Sequence, residues 1–279
     1  MCGRYVNSRT VDELAEVFSA VSDEGAETLE PDYNVAPTDP VAAVLTRRPR
    51  AEDGTRRAEP VRRLTVLRWG LVPSWAKDRR IGTRMINARL ETVAEKPAFR
   101  RAFAARRCLL PADGYYEWTS LAEGPGGAGG PGRGRARKQP WLVRPADGSV
   151  LALAGLYEVW RDPAAFEAPL VWTSAVLTTQ AMDEAGRVHD RMPMLVEGEA
   201  WGRWLDPDLD DADVLRGLLQ PAMPGRLEVV PVSSAVNDVR SSGPELVRPV
   251  PWPDGGPDPD AGAYGPPAAV RFDDAPTLF

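Results

Sequence analysis

Strand-like and helix-like segments follow one another along this chain without a regular alternation between the two types. The segment 63–68 alternates apolar and polar residues, as a half-buried strand does, whereas 11–20 has the spacing of an amphipathic helix. A repeated β-α-β order would predict a parallel sheet, and no such order or internal repeat is present. The pattern therefore predicts an α+β fold of mixed, mainly antiparallel β-sheets with a few flanking helices.

The predicted strands are spread over most of the chain, and the predicted helices are few. Strands are expected at 41–46, 63–68, 107–118 (two strands around a turn), 140–144, 150–160, 171–179 and 227–236. Helical segments are expected at 11–20, 91–106 (interrupted by Pro97), 181–187 and 198–218. The charged residues 47–62, which contain Gly and Pro, are expected to form a loop or a hairpin tip.

Two stretches are too rich in Gly and Pro to belong to a core. Residues 121–139 are of low complexity and are predicted to be a flexible insertion. Residues 246–279 are predicted to be a disordered acidic tail. The expected organisation is one folded domain over residues 1–245, followed by that tail.

Composition narrows the class of protein. No run of about 18 apolar residues is present, so no membrane span is predicted, and the N-terminus lacks the pattern of an export signal. Two cysteines, Cys2 and Cys108, do not make a disulfide framework, which favours a reducing, cytoplasmic compartment. With one histidine, these two thiols do not suffice for a structural zinc site.

Charge is unevenly distributed along the chain. The formal net charge is −6, but residues 62–144 carry 18 basic and 6 acidic residues. A basic region in an acidic protein is typical of a surface that binds a polyanion such as nucleic acid. The alternative is a solvated arginine-rich surface in a chain that uses arginine in place of lysine.

The N-terminus carries a reactive combination. Cys2 follows the initiator methionine directly, and removal of Met1 would leave an α-amine and a thiol on adjacent carbons. Their ordinary pKa values, about 7.7–8.0 and about 8.5, leave part of the amine uncharged and part of the thiol ionised near neutral pH. Such an aminothiol condenses with an aldehyde, first to an imine and then to a thiazolidine. The alternative is that Cys2 is an accident of the start of the chain.

Six segments occur in one order along residues 1–240. They are MCGR (1–4), YNVAPT (33–38), RWGLVPSW (68–75), NARLET (87–92), PADGYYEW (111–118) and HDRMP (189–193). Together they closely resemble the SOS response-associated peptidase (SRAP) family. The resemblance implies a barrel-like fold for the domain. It also implies recognition of abasic sites in single-stranded DNA and a stable covalent crosslink through the N-terminal cysteine, after self-removal of the initiator methionine.

The resemblance assigns roles to particular positions. The matching residues are Cys2, Asn87, Glu117 and His189, with Arg89 beside the DNA backbone. No metal or cofactor is expected, because an amine and a thiol condense with an aldehyde unaided. We expect a monomer that is cytoplasmic and is associated with the nucleoid when bound to DNA, without a membrane partner.

The chemistry of these residue types agrees with such roles. Glu117 lies among aromatic residues, and partial burial there would raise its pKa and let it act as acid and base in turn. His189 can titrate near neutrality and could protonate the sugar oxygen during ring opening, although a lone histidine is often structural. Asn87 could hold the Cys2 amine or a sugar hydroxyl, or simply form a turn.

Further residues are candidates for contacts to DNA. Arg89 would share a face with Asn87 if the segment is extended, and its planar fork suits phosphate. Arg4, Arg68 and Arg84 are phosphate candidates by charge and position. For all of these arginines the alternative is a surface salt bridge or simple solvation.

Two tryptophans flank Gly70 and Pro73 beside these arginines. Trp69 and Trp75 could form a platform on which bases of a single strand stack, worth about 1–3 kcal/mol per base. The alternative is that at least one of the pair is a core residue.

Three other functions stay open at this stage. The chain could be a cysteine peptidase that acts on other proteins, with Cys2 and His189 as its reacting pair. It could bind single-stranded DNA without covalent chemistry, or cleave the abasic strand by β-elimination from the imine. The arginines of 121–139 either add DNA affinity or belong to a tolerated loop, and the acidic tail either shields the basic surface or has no effect.

Overall fold

The computed structural model describes residues 2–48, 59–120, 138–181, 188–221 and 226–252. The predictions for 181–187 and for most of 47–62, 121–139 and 246–279 concern residues outside these ranges. Lys138 and Gln139 are an exception, because they begin a strand and do not belong to the insertion. The predicted start of the tail at 246 is also wrong, because Leu246 is buried in a short 3-10 helix and Val250 N donates to Pro231 O at 2.9 Å. No helix in the described ranges is long and apolar enough to cross a bilayer.

The described residues form strands and short helices in the following order. The strands are β1 Tyr5–Asn7, β2 Val21–Ser22, β3 Asp32–Val35, β4 Pro40–Arg47, β5 Val61–Trp69, β6 Asn87–Arg89, β7 Arg107–Ala112, β8 Gly114–Ser120, β9 Lys138–Pro145, β10 Leu151–Trp160, β11 Val171–Gln180, β12 Arg191–Pro193 and β13 Leu227–Pro231. The α-helices are α1 Val11–Val17, α2 Arg100–Ala105, α3 Trp201–Trp204 and α4 Ala212–Gly217. Short 3-10 helices span Ala26–Thr28, Arg79–Arg84, Gly198–Ala200, Ser234–Asn237 and Pro244–Val247.

Five strands close into a barrel-like ring. Strands β5, β4, β7, β10 and β11 pair in that order with antiparallel neighbours. The ring closes where β11 runs parallel to β5, with Thr173 opposite Arg68 and Ser174 opposite Trp69. The predicted α+β fold with mainly antiparallel, barrel-like sheets is confirmed.

A second, wholly antiparallel sheet packs against this ring. Its strand order is β13-β9-β8-β1-β3. Tyr5, Tyr115 and Val143 of this sheet share one buried cluster with Trp69 and Leu110 of the ring. The N-terminal strand β1 is therefore a strand of the second sheet, and its Tyr5 packs against core residues of the ring.

The helices cover the outer face of the ring. Leu14 and Phe18 from α1 and the segment after it, and Trp204 from α3, pack with Val44 and Leu64 of the strands in a second cluster. The strands of the ring carry apolar residues on both faces, and each face must therefore be covered to exclude water. The helices cover one of these faces.

Three predicted helices are shorter than expected, each for a local reason. Helix α1 ends before residue 20 because Ser19 is left-handed, with φ 47°. Of the predicted 91–106, only α2 is α-helical, since Pro97 disfavours helix in the residues before it. The predicted 198–218 is divided into α3 and α4, and Pro207 lies between them.

Two glycines let the 3-10 helix Arg79–Arg84 approach the end of β5. Gly70 has φ 118°, and a Cβ built there would lie 2.7 Å from the carbonyl oxygen of Gly82. A Cβ built on Gly82 would lie 2.5 Å from the carbonyl oxygen of Gly70. This contact sets the path of the chain into β6, because Leu71 N donates to Met85 O at 3.0 Å.

We expect Gly82→Ala to lower the free energy of unfolding by about 1–3 kcal/mol, because the new methyl group would overlap backbone atoms that cannot move aside. The matched control is Gly217→Ala at the exposed end of α4, where a Cβ meets nothing within 4 Å. That control should gain about 0.5–1 kcal/mol. Urea unfolding of both variants tests this, and equal stabilities would contradict the close packing at Gly82.

Candidate functional site

The N-terminal segment is buried against strand β8. Tyr5 lies opposite Tyr115 in the β1–β8 register, and the backbone N–H of Tyr116 donates to Arg4 O at 2.9 Å. Cys2 has no exposed surface and belongs to the cluster shared by the barrel and the second sheet. The residue of greatest chemical interest thus lies inside the molecule, at a defined position.

Asn87 holds the backbone of Cys2. Strand β6 runs parallel to β11, with Asn87 opposite Val176, and the Asn87 Nδ2 donates to Cys2 O at 2.7 Å. The sequence predicted a contact to the amine or to a sugar, whereas the observed partner is the Cys2 carbonyl. The other amide atom, Asn87 Oδ1, is buried and accepts no hydrogen bond from the described part of the chain.

Glu117 is a buried carboxyl group close to Cys2. It lies on β8 opposite Trp141 of β9 and is 3% exposed. Burial raises the pKa of Glu117 to about 7, and the charge of Asp190 adds to the rise. Near neutral pH this carboxyl group is therefore present in both its acid and its base form, as the sequence led us to expect.

The thiol of Cys2 is affected by the same surroundings. Burial, together with the nearby charge of Glu117, raises the pKa of the Cys2 thiol far above its ordinary value. The expectation that part of this thiol is ionised near neutral pH is therefore wrong for this structure. The thiol needs a base to take its proton before it can act as a nucleophile, and Glu117 is close enough to influence it electrostatically.

His189 lies beside this group, in the segment that leads into β12. Its Nδ1 accepts from Arg191 N at 2.9 Å and also lies 2.8 Å from Asp190 Oδ1. The neutral ring can accept from the amide, and the protonated ring can donate to the carboxylate. Burial lowers the pKa of His189, while Asp190 opposes that shift. Since Asp190 also acts on Glu117, the two titrating groups share one neighbour.

Arg191 fixes the backbone that carries His189. It forms two parallel hydrogen bonds to Glu91, at 2.8 and 3.0 Å, and Nη2 donates to Thr178 O at 2.8 Å. The sequence analysis did not single out Arg191 or Glu91. Both residues lie in sequence segments that the analysis had noted, NARLET and HDRMP. Only the fold shows that the segments containing β6 and β12, which both pair with β11, are joined by this ion pair.

Two tyrosine hydroxyl groups line the same interior. The hydroxyl oxygens of Tyr5 and Tyr115 are buried and have no hydrogen-bond partner in the described ranges. Burial raises the pKa of both. Leaving a buried polar group without a hydrogen bond costs about 1–3 kcal/mol. Packing alone would favour phenylalanine at these two positions, so the hydroxyl groups are not explained by packing.

The predicted stacking pair divides into a core residue and a surface residue. Trp69 has no exposed surface, contacts Tyr5 edge-on and donates from Nε1 to Ile86 O at 2.9 Å. Its predicted place in a stacking platform is therefore wrong, because a base cannot reach a ring enclosed by the barrel. Trp75 is 58% exposed and keeps a free surface.

The predicted phosphate-binding arginines have different surroundings. Arg84 and Arg89 are exposed and have no ion-pair partner within the described residues. Arg89 follows Asn87 on the same face of β6, as expected for an extended segment. Arg68 is half-buried at the end of β5, on the barrel face opposite to that of Trp69.

Arg4 is already bound by protein groups. Its Nη1 donates to Asn34 Oδ1 at 2.6 Å and to Val236 O at 3.0 Å, and its guanidinium lies 5.9 Å from the ring centre of Trp118. Trp118, which the sequence analysis did not propose as a binding residue, donates from Nε1 to Asn237 Oδ1. The sequence feature that could have identified Trp118 is its position directly after Glu117.

The geometry thus brings together Cys2, Asn87 and Glu117, three residues from separate parts of the chain. Partly exposed His189 lies in the segment of Asp190, whose charge acts on Glu117. Among the described residues, no three His, Cys, Asp or Glu side chains form a metal-binding group. The arrangement resembles a site for acid–base and nucleophilic chemistry at the edge of a cationic surface.

The chain belongs to the SOS response associated peptidase (SRAP) family, whose model matches residues 1–239. Abasic site processing protein YoqW of Bacillus subtilis is 36% identical over 248 residues, which cover 89% of this chain and 99% of that relative. Abasic site processing protein HMCES of Xenopus tropicalis is 26% identical, covering 88% of this chain and 78% of that relative.

Solved structures share the fold. A crystal structure of a protein from Bacteroides thetaiotaomicron superposes with a TM-score of 0.69 at 23% identity, covering 89% of this chain and 100% of that chain. At this identity the likeness concerns the fold alone.

We expect Glu117→Gln to change how stability depends on pH. The folded-state pKa of about 7 exceeds the ordinary 4.5, so the wild type loses stability as pH rises from about 4.5 to 7, by at most about 3 kcal/mol. The variant lacks this loss, and its melting temperature should gain on the wild type between pH 5 and pH 8. The control Glu199→Gln, at an exposed position, should have the same change in melting temperature between pH 5 and pH 8 as the wild type. The same change in Glu117→Gln would refute the raised pKa.

Proposed function

We propose that this protein recognises abasic sites in single-stranded DNA and joins to them covalently through Cys2 after loss of Met1. The names of its relatives YoqW and HMCES support an abasic-site function. The observation that carries the covalent reaction is the buried group formed by Cys2, Asn87 and Glu117, in which a carboxyl group with a pKa of about 7 adjoins the thiol.

The reaction starts at the amine. While Met1 is attached, the nitrogen of Cys2 is an amide and cannot form an imine, so removal of Met1 comes first. The freed amine then adds to the aldehyde carbon of the open abasic sugar, and loss of water gives the imine. The thiol adds to the imine carbon and closes the thiazolidine, so the net reaction releases one water molecule.

Glu117 serves the proton transfers of this sequence. As an acid it gives a proton to the departing hydroxyl group of the carbinolamine, and as a base it takes the proton of the buried thiol. A pKa close to the working pH suits both tasks. Asn87 holds the Cys2 carbonyl, which fixes the amine and the thiol relative to Glu117.

His189 acts on the sugar. Opening of the closed hemiacetal requires a proton on the ring oxygen, and a histidine titrates in the range where it can supply one, here with its ring oriented by Arg191 and Asp190. Arg84 and Arg89 bind backbone phosphates, and Trp75 offers a face to a neighbouring base. Arg4, held by Asn34, positions Trp118 next to the site.

Two other activities remain candidates at the same site. A peptidase that acts on other proteins would need an ionised thiol, and burial opposes this by raising the pKa of Cys2. Strand cleavage by β-elimination would use the amine without the thiol. Comparison of Cys2→Ser with the wild type separates the second activity from crosslinking, because the serine variant keeps the α-amine.

The decisive experiment mixes the purified protein with a single-stranded oligonucleotide that contains one abasic site and resolves the products on a denaturing gel. We expect a heat-stable shifted band with wild type, in which mass spectrometry confirms Cys2 as the first residue, and no such band with Cys2→Ala. Absence of the band with a confirmed N-terminal Cys2 would refute the covalent function.

We expect Glu117→Gln to slow crosslinking by about 10²–10⁴-fold, the usual contribution of a general acid–base residue, while the affinity for the oligonucleotide is kept. The wild-type rate should change with pH around the pKa of about 7, and this change should be missing in the variant. Single-turnover rates from pH 5 to pH 9 provide the measurement. An unchanged rate in Glu117→Gln would remove Glu117 from the mechanism.

A further inference from the structure

An open groove lies on the outer face of the barrel, away from Cys2. Its volume is about 560 Å³, within the range of roughly 300–1,000 Å³ that sites for small organic molecules span. Apolar walls are formed by Trp160, Leu170 and Trp172, and Leu170 is 42% exposed. Two arginines, Arg68 and Arg79, also line it.

These two arginines are cations without a counter-charge. Neither guanidinium group makes a hydrogen bond or ion pair to any residue that the structure describes. Their neighbour Arg80, by contrast, is paired with Asp78. The one acidic residue of the groove, Asp162, accepts from the backbone of Ala164 at 2.8 Å. The groove therefore presents a net positive charge next to apolar walls.

Backbone strain marks the rim of the groove. Thr38 lines it and has φ 83°, a left-handed conformation that is rare for a β-branched residue. Such strain costs of order 1–3 kcal/mol and is concentrated at functional sites. The Thr38 N–H donates to Trp69 O at 2.9 Å, so the strained residue is anchored to the strand whose inner face adjoins the Cys2 cluster.

Two chain segments connect the groove to the cationic surface beside the site. Trp160 donates from Nε1 to Ala76 O at 2.7 Å, and exposed Trp75 immediately precedes Ala76 in the chain. Arg79 begins the 3-10 helix that ends at Arg84. A strand held at Trp75 and Arg84 can thus continue into the groove around the rim of the barrel.

We infer that this groove binds the single-stranded DNA that flanks the abasic site, with phosphates on Arg68 and Arg79 and a sugar or base against the apolar walls. The inference rests on the proposed function and adds a second contact region to it. Unpaired arginines beside apolar surface match a nucleotide, which is both anionic and apolar, better than they match an apolar peptide.

The test uses non-covalent binding, so that it does not depend on crosslinking. The probes are fluorescent oligonucleotides that carry one tetrahydrofuran, a stable abasic analogue without an aldehyde, and whose flanks are shortened stepwise from either end. Fluorescence anisotropy is measured for wild type, for the double variant Arg68→Gln/Arg79→Gln, and for Arg203→Gln. Arg203 is an exposed arginine of α3 that has no ion-pair partner in the described part of the chain and does not line the groove.

The wild type should gain about tenfold in affinity when one of the two flanks is long enough to reach the groove. The affinity of the double variant should rise less than about twofold with that flank. The slope of log K against log salt concentration should be smaller in magnitude by about 1.4, because two phosphate contacts are lost. Arg203→Gln should behave as the wild type does. Thermal melting confirms that all variants fold.

Three results would overturn the inference. One is a double variant that gains as much from the flank as the wild type does. Another is a loss of affinity of the same size on the shortest probe, which would indicate a defect at the abasic site itself. The third is that the wild type binds an apolar peptide while its affinity for the oligonucleotides does not depend on flank length. Failure of the wild type to crosslink in the gel assay would refute the proposed function and leave this binding result intact.

Discussion

Enclosure of the N-terminal segment between two β-sheets is the constraint on which the rest of this structure depends. Strand β1 pairs with β8 and packs its tyrosine against Trp69 inside the barrel, so that Cys2 has no exposed surface. The same enclosure removes water from Glu117, raises its pKa to about 7 and keeps the thiol of Cys2 protonated. One packing arrangement thus determines position, acidity and nucleophilicity together.

Strand β11 organises the opposite side of the site. It pairs with β6, which carries Asn87, and with β12, which follows His189, and the ion pair between Glu91 and Arg191 joins the two flanking segments. Both polar segments are thereby fixed along one strand of the ring. Buried groups without partners, such as the Tyr115 hydroxyl and Asn87 Oδ1, are the cost of a polar interior beside Cys2.

The cationic surface is arranged differently from this interior. About half of the arginines described for the chain form ion pairs with carboxylates, as Arg9 does with Asp113 and Arg144 with Glu228. Arg84 and Arg89 stand without such partners beside the site, and Arg68 and Arg79 do so in the outer groove. Unpaired charge in these places stays available to an external anion, which explains how an acidic protein can present a surface suited to DNA.

Local sequence patterns were sufficient for most of the strands, because alternation is a property of short segments. Cys2, Glu117 and His189 were selected together through the resemblance of six ordered segments to a family, and their roles stay predictions. The burial of Trp69, the carbonyl contact of Asn87 and the pairing of Glu91 with Arg191 required the fold. Each depends on residues far apart in the chain, and no local pattern states which face of a strand will be enclosed. The sequence by itself determined which reactive groups are present, whereas the tertiary structure decided their protonation states and which of them meet, since both depend on exclusion of water.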